Sequence, residues 1–165
     1  MAHTPNKPLR TQFVYRRCHP GDYQALRFLV RESWPVDMRD QVDDILKDAL
    51  THPDSTAIFG CFANGEAVAY AQVSMRQEYT EGASTYPIAY LDALYIRQNL
   101  RSLAVGQRLV DLVTTYVNSL GIEELAADCL SSDLQQFELY LQSGFEEVSQ
   151  MTHFVKSIPL KMRRS

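Results

Sequence analysis

The sequence predicts an α/β domain built on one mixed, mostly antiparallel sheet flanked by helices. Three observations carry that expectation. Short β-prone runs alternate with segments of helical periodicity along residues 13–158. Asn64-Gly65 between two apolar runs is a two-residue hairpin signal, which makes the early pairings antiparallel. The apolar run Ile88 to Ile96 is followed by an amphipathic helix and then another short run, an order that sets two strands parallel.

The elements follow in order. Residues 1–12 read as a flexible lead-in, and Phe13 to Arg17 as a short strand. Pro20 suits the first turn of a helix carrying Tyr23, Leu26, Leu29 and Val30 on one face. That helix ends before Trp34-Pro35, because the residue before proline disfavours helical angles. Val42, Ile45, Leu46, Ala49 and Leu50 mark a second helix, closed by Pro53. Thr56 to Ala63 and Glu66 to Arg76 are the hairpin strands, and Gln77 to Tyr86 is a polar loop. After the strand at 88–96, Val105, Leu109, Leu112, Val113, Tyr116, Val117 and Leu120 recur at helical spacing, with Gly121 as the stop. Glu123 to Cys129 is the next strand. Ser132 and Gln135 can form a capping box for a helix that turns Leu134, Phe137 and Leu141 inward and stops at Gly144. Phe145 to Val148 and Thr152 to Ile158 are expected to pair as a closing hairpin, before a basic tail over 159–165.

Composition narrows the function. At 165 residues, with 45% hydrophobic and 22% charged residues, the chain suits a single domain with a sizeable core. No apolar run is long enough to span a bilayer, and residues 1–12 lack the apolar centre of a signal peptide, so a cytoplasmic location is expected. Cys18, Cys61 and Cys129 are odd in number and widely separated, which reads as reduced thiols. His3, His19, His52 and His153 are equally scattered, so no metal site is expected. A net charge of −4 disfavours nucleic acid and favours a cationic partner. No membrane partner is expected either.

The most informative stretch joins the strand at 88–96 to the helix at 105. The first N–H groups of a helix lack intrahelical partners, and the peptide dipoles leave partial positive charge there. Small side chains at Ala104 and Gly106 let an anion approach that backbone, and Arg101 adds a formal charge. Ser102, Leu103, Val105 and Gln107 complete a candidate pyrophosphate cradle. The alternative is a plain amphipathic surface helix.

Here the residues meet a family. Arg101-x-x-Ala104-x-Gly106 resembles the acetyl-CoA signature, Gln/Arg-x-x-Gly-x-Gly/Ala, of the GNAT superfamily of N-acyltransferases. Leu139-Tyr140-x-x-x-Gly144-Phe145 is similar to its second signature, and the element order agrees over residues 13–157. A narrower resemblance is to the aminoglycoside 6′-N-acetyltransferases. It rests on Arg76-Gln77-Glu78-Tyr79-x-x-Gly82, Pro87, Leu91-Asp92-Ala93-Leu94-Tyr95-Ile96 and Ala127-Asp128, with Trp34 where that branch carries a tryptophan. Four positions depart from it. Asp92 stands for a glutamate, Ala104 for a glycine, Asp133 for an asparagine that contacts the pantetheine arm, and Tyr140 for a histidine.

The resemblance implies acetyl-CoA as cosubstrate, no metal, a homodimer, and direct attack of an aminoglycoside 6′-amine in a ternary complex. Leu94, Tyr95, Ile96, Asp133 and Phe137 would join the cradle residues in holding the cofactor. Asp92 and Asp128 are candidate bases, because an ammonium has to lose a proton before it can attack. Both lie near the carboxyl ends of neighbouring strands, where α/β folds bind ligands. Asp128 could instead cap the following helix. Asp92 in an apolar strand is harder to dismiss, since a buried unpaired carboxylate is costly. Tyr140 matches the superfamily's general acid, with simple packing as the alternative. Trp34, Glu78, Tyr79 and Glu81, with Asp92 and Asp128, would grip a cationic substrate, unless the two glutamates are only solvated loop. The rival functions are acetylation of another small amine or a protein N-terminus, and a non-catalytic acyl-CoA-binding module.

Overall fold

A computed structural model describes residues 11–101 and 104–158. Most of the expected lead-in, the tail at 159–165, Ser102 and Leu103 lie outside the described residues. Five strands form one sheet in the order β1-β2-β3-β4-β5: β1 (Phe13–Arg17), β2 (Thr56–Ala63), β3 (Glu66–Arg76), β4 (Ile88–Ile96) and β5 (Leu125–Ala127). β1 to β4 pair antiparallel in succession, and β5 joins β4 in parallel. The expected mixed, mostly antiparallel α/β fold is the one observed. At the β2–β3 turn, Asn64 and Gly65 have φ of 52° and 84°, the left-handed pair that lets a two-residue turn follow the strands' twist.

Helices cover both faces. α1 (Tyr23–Ser33) and α2 (Arg39–Thr51) bury Leu26, Leu29, Val30, Val42, Leu46 and Leu50 against Ile58, Phe62, Ala67 and Tyr70. On the opposite face, α3 (Val105–Ser119) buries Val105, Leu109, Val110, Val113 and Val117 against β2, β3 and β4. Ile45 and Leu120, turned inward by the periodicity, are exposed. Leu120 lies just past the end of α3, whereas Ile45 sits mid-helix beside the buried stripe of Val42, Leu46, Ala49 and Leu50.

The last third of the chain departs from expectation. β5 is shorter than 123–129, because the chain pairs with β4 only at Leu125, Ala126 and Ala127. α4 (Leu134–Gln142) is capped by Asp133, whose Oδ1 accepts from the Gln136 amide at 3.1 Å, and not by Ser132 with Gln135. Asp133 stands one residue nearer the first turn, so its carboxylate reaches the free amide. Leu134 and Leu141 point to solvent; the residue α4 buries is Tyr140, its ring 5.1 Å from Phe145. The closing hairpin is absent among the described residues. Residues 146–158 carry no strand, and Phe154, Val155 and Ile158 are exposed. Their composition suits a strand, but the three-residue β5 presents little edge to pair with.

One irregularity shapes the site. In the β3–β4 ladder Leu91 faces Val73 and Ala93 faces Gln72, so Asp92 is an extra residue without a partner. Such a bulge bends its strand and increases its twist. The β4–β5 pairing stops at Leu91 and Ala127, one residue earlier. Beyond that point, among the described residues, β4 pairs with a strand on one side only.

Leu109, fully buried where α3 meets the sheet, tests the packing. Leu109→Ala is expected to destabilise the fold by about 2–5 kcal/mol, read as a lower urea midpoint at unchanged m-value.

Candidate active site

The open edge of β4 is the starting point. The Arg97 amide donates to Val68 on β3, so by strand alternation Tyr95 also turns its backbone groups to β3, and Leu94 and Ile96 turn theirs the other way. That edge, the start of α3 and the inner face of α4 enclose a cavity of about 550 Å³. Leu94, Ile96, Arg101, Ala104, Gly106, Gln107 and Asp133, all among the candidate cofactor residues, line it. Arg101 bridges its mouth, donating from Nε to the Ile96 carbonyl and from Nη1 to Gln135 Oε1, both at 3.3 Å. Gln107 reaches across to Gln142 at 3.2 Å.

Three expected cofactor contacts do not line this cavity. Tyr95 lies on the opposite sheet face, its ring 6.3 Å from that of Tyr70, because side chains alternate along a strand. The Val105 side chain is buried in the core under α3. Phe137 is half-buried on α4 away from the lining. The lining instead recruits Gln135, Glu138 and Gln142. Their spacing of three and four residues is a polar stripe on one helix face, a signal present in the sequence and passed over.

The second part of the site is acidic. Asp92 follows Leu91 and Asp128 follows Ala127, the last residues of β4 and β5 that pair with each other. Asp92 is not a buried orphan. Its Oδ1 is 2.6 Å from an Arg76 guanidinium nitrogen, and its side chain is 21% exposed. Asp128 is exposed, and Tyr90 donates its hydroxyl to Oδ1 at 2.5 Å. Asp128 does not cap α4, a task Asp133 performs. Burial first, then Asp128, pushes the Tyr90 phenol up to about 12. Arg76 was singled out only as part of the motif at 76–82 and Tyr90 not at all, because the role of each lies in contacts between strands.

Tyr140 is buried beside this cluster. Burial is the main reason its phenol is pushed up to about 12, with Cys129, Asp128 and Tyr90 adding to the rise and Gln136 opposing it. Gln136 Nε2 donates to Tyr140 Oη at 2.7 Å. The hydroxyl therefore stays protonated at neutral pH with its own proton free to give.

The expected substrate grip is only partly assembled. Glu78, Tyr79 and Glu81 are exposed on the 77–86 loop, where Tyr79 donates to Glu81 Oε2 at 2.8 Å. Trp34, at the end of α1, packs half-buried with the α1–α2 core. No hydrogen bond or ring contact among the described residues joins it to the loop. What fixes the loop is Glu124, ahead of β5. Its carboxylate accepts from the amides and hydroxyls of Ser84 and Thr85 at 2.6–2.8 Å. No group of side chains among the described residues could hold a metal ion.

Those bonds, led by the Ser84 hydroxyl, hold the Glu124 carboxyl at about 2, against an ordinary 4.5. A depressed carboxyl stabilises the fold above its unfolded value, and that contribution is lost as pH falls through the folded one. Wild type is therefore expected to lose thermal stability between about pH 4.5 and 2, and Glu124→Gln to flatten that part of the melting-temperature profile.

Known proteins share this fold. The Acetyltransferase (GNAT) family profile matches residues 16–145. An aminoglycoside N(6′)-acetyltransferase type 1 from Stenotrophomonas maltophilia is 29% identical over 139 residues, spanning 84% of this chain and 90% of that protein. The Serratia marcescens protein of the same name is 26% identical, spanning 86% and 97%. Among solved structures, aminoglycoside N-acetyltransferase AAC(6′)-Iy in complex with CoA superposes with a TM-score of 0.83 at 22% identity, over 93% of this chain and all of that one. With the profile covering most of the domain, the chain belongs to the GNAT acetyltransferase family.

Proposed function

We propose that the chain is an acetyl-CoA-dependent N-acetyltransferase acting on the 6′-amine of aminoglycosides, by direct amine attack in a ternary complex, and so conferring resistance. The observation that carries this is one juxtaposition: the open β4 edge leads from a cavity at the start of α3 to two carboxylates just past the β4–β5 pairing. The relatives' names supply the substrate class. A solved neighbour, AAC(6′)-Iy with a bisubstrate analogue of CoA and acetylneamine, supports the ternary geometry.

The residues present fit the cosubstrate. A Cβ on Gly106 would meet Leu139 Cδ2 at 2.6 Å and Ile96 Cδ1 at 2.8 Å, so a larger residue would push two of the cavity's own lining side chains aside. Backbone amides from 104 to 107 would hold the pyrophosphate, and the Leu94 and Ile96 backbone would pair with the pantetheine arm. When bound, acetyl-CoA supplies an activated thioester. Asp128 or Asp92 takes a proton from the substrate ammonium, directly or through water. Tyr140 Oη gives its proton to the departing sulfur. Glu78, Tyr79 and Glu81 add carboxylate and aromatic contacts for an amino sugar, with Trp34 at the edge.

The same reading makes the protein a cytoplasmic homodimer. No helix among the described residues is long and apolar enough to cross a membrane. Phe154 and Val155, 90% and 96% exposed, are apolar surface of the kind a subunit contact covers.

Two predictions test the proposal. Thiol release from acetyl-CoA is expected with kanamycin and tobramycin and to vanish with their 6′-hydroxyl analogues; activity only on unrelated amines, or binding without turnover, would replace this function with another. Tyr140→Phe and Asp128→Asn are each expected to lower kcat by about 10²–10⁴ with smaller changes in KM, measured in the same assay.

A further inference from the structure

Arg76 belongs to no step of this reaction, yet it stands at the centre of the acidic face. It ends β3, in register with Ile88 on β4. One guanidinium nitrogen lies 2.6 Å from Asp92 Oδ1, and the guanidinium carbon stands 3.4 Å from the centroid of the Tyr90 ring. Tyr90 in turn donates to Asp128 at 2.5 Å. One cation therefore touches the first carboxylate directly and the second through a phenol. A cleft that is to receive an ammonium already holds a positive charge.

We propose that Arg76 is a resident counter-ion of the acceptor cleft, a positioning residue that a cationic substrate displaces from Asp92 and that holds Asp128 in line through the Tyr90 ring. The inference rests on the acceptor-amine reading of this cleft and deepens it. The ion pair is open to competition: the Arg76 side chain is 40% exposed and that of Asp92 is 21% exposed, and such pairs are weak in water. The stacking half depends on arginine itself. A planar guanidinium lies flat on an aromatic face, whereas an ammonium is a compact point charge. The two halves separate in consequence. The charge opposes binding of a polycation, and the stack aligns the carboxylate that faces the amine.

The experiment compares wild type with Arg76→Met, Arg76→Lys and Asp92→Asn. Kanamycin affinity is measured by calorimetry on the CoA-bound protein, and turnover with acetyl-CoA. Arg76→Met is expected to bind kanamycin about fivefold tighter, through relief of one like-charge contact near the surface, and to turn over about tenfold more slowly, through loss of alignment. Arg76→Lys restores the charge and returns affinity to within about twofold of wild type, but not turnover. A residue that merely supported the fold would lower both quantities together. Unchanged or weaker kanamycin binding in Arg76→Met overturns the inference. If that variant fails to fold, Arg76→Lys decides: wild-type affinity with slow turnover supports the assignment, and parallel loss or no change in either quantity overturns it. Asp92→Asn separates the two levels. If it leaves kanamycin affinity unaltered in wild-type background, the acceptor-cleft reading fails; if it weakens binding while Arg76→Met does not strengthen it, only the role of Arg76 fails.

Discussion

The parting of β4 from β5 after Leu91 and Ala127 is the constraint on which the rest of the molecule depends. A parallel pair continued along β4 would consume the Leu94 and Ile96 backbone groups and seal the space that α3 and α4 now border. The bulge at Asp92 is where β4 changes course, and it falls one residue beyond the last parallel pair. Two consequences follow from this single feature. Free strand edge is exposed to the cavity, and the first side chain past the junction on each strand is a carboxylate.

Two tyrosines flank that junction with phenols raised to about 12, yet they are suited to different work. The Tyr90 proton is committed to Asp128, so Tyr90 orients a carboxylate. Tyr140 accepts from Gln136 and keeps its own proton unassigned, so it can deliver one. Burial is the largest single cause in both cases. The hydrogen-bond partner, and not the pKa, separates the roles.

Local chemistry was legible in the sequence wherever a residue decides its own conformation or its neighbour's. The β2–β3 hairpin was readable to the residue because Asn64-Gly65 leaves the chain little choice and the flanking runs fill both strands. α1 and α3 were readable because their apolar stripes face a broad sheet. α4 was misread for the converse reason. It is a rim helix of nine residues, and it seats itself through Tyr140 and Leu139, leaving Leu134 and Leu141 in water. The C-terminal strands failed because composition says what a segment can form and not which edge is available to it. Within the site, Arg101, Ala104, Gly106 and Gln107, which line the cavity, are close in sequence and so stood out as a motif. The pairing of Arg76 with Asp92 spans 16 residues and that of Tyr90 with Asp128 spans 38, and neither leaves a local trace.

Gly106 lines the cavity for a reason beyond the one its small size suggests. A small side chain near the start of α3 was expected to let an anion reach the backbone. The nearest obstacles to a Cβ there are instead Leu139 Cδ2 on α4 and Ile96 Cδ1 on β4, both from residues that line the cavity. Each is the end of a flexible side chain, so a larger residue would not break the fold outright. It would turn those two side chains away from their present positions and alter the width between helix and strand. The glycine thus acts on the site through packing as well as through access, and it couples α4, which carries Tyr140, to the strand that carries Asp92.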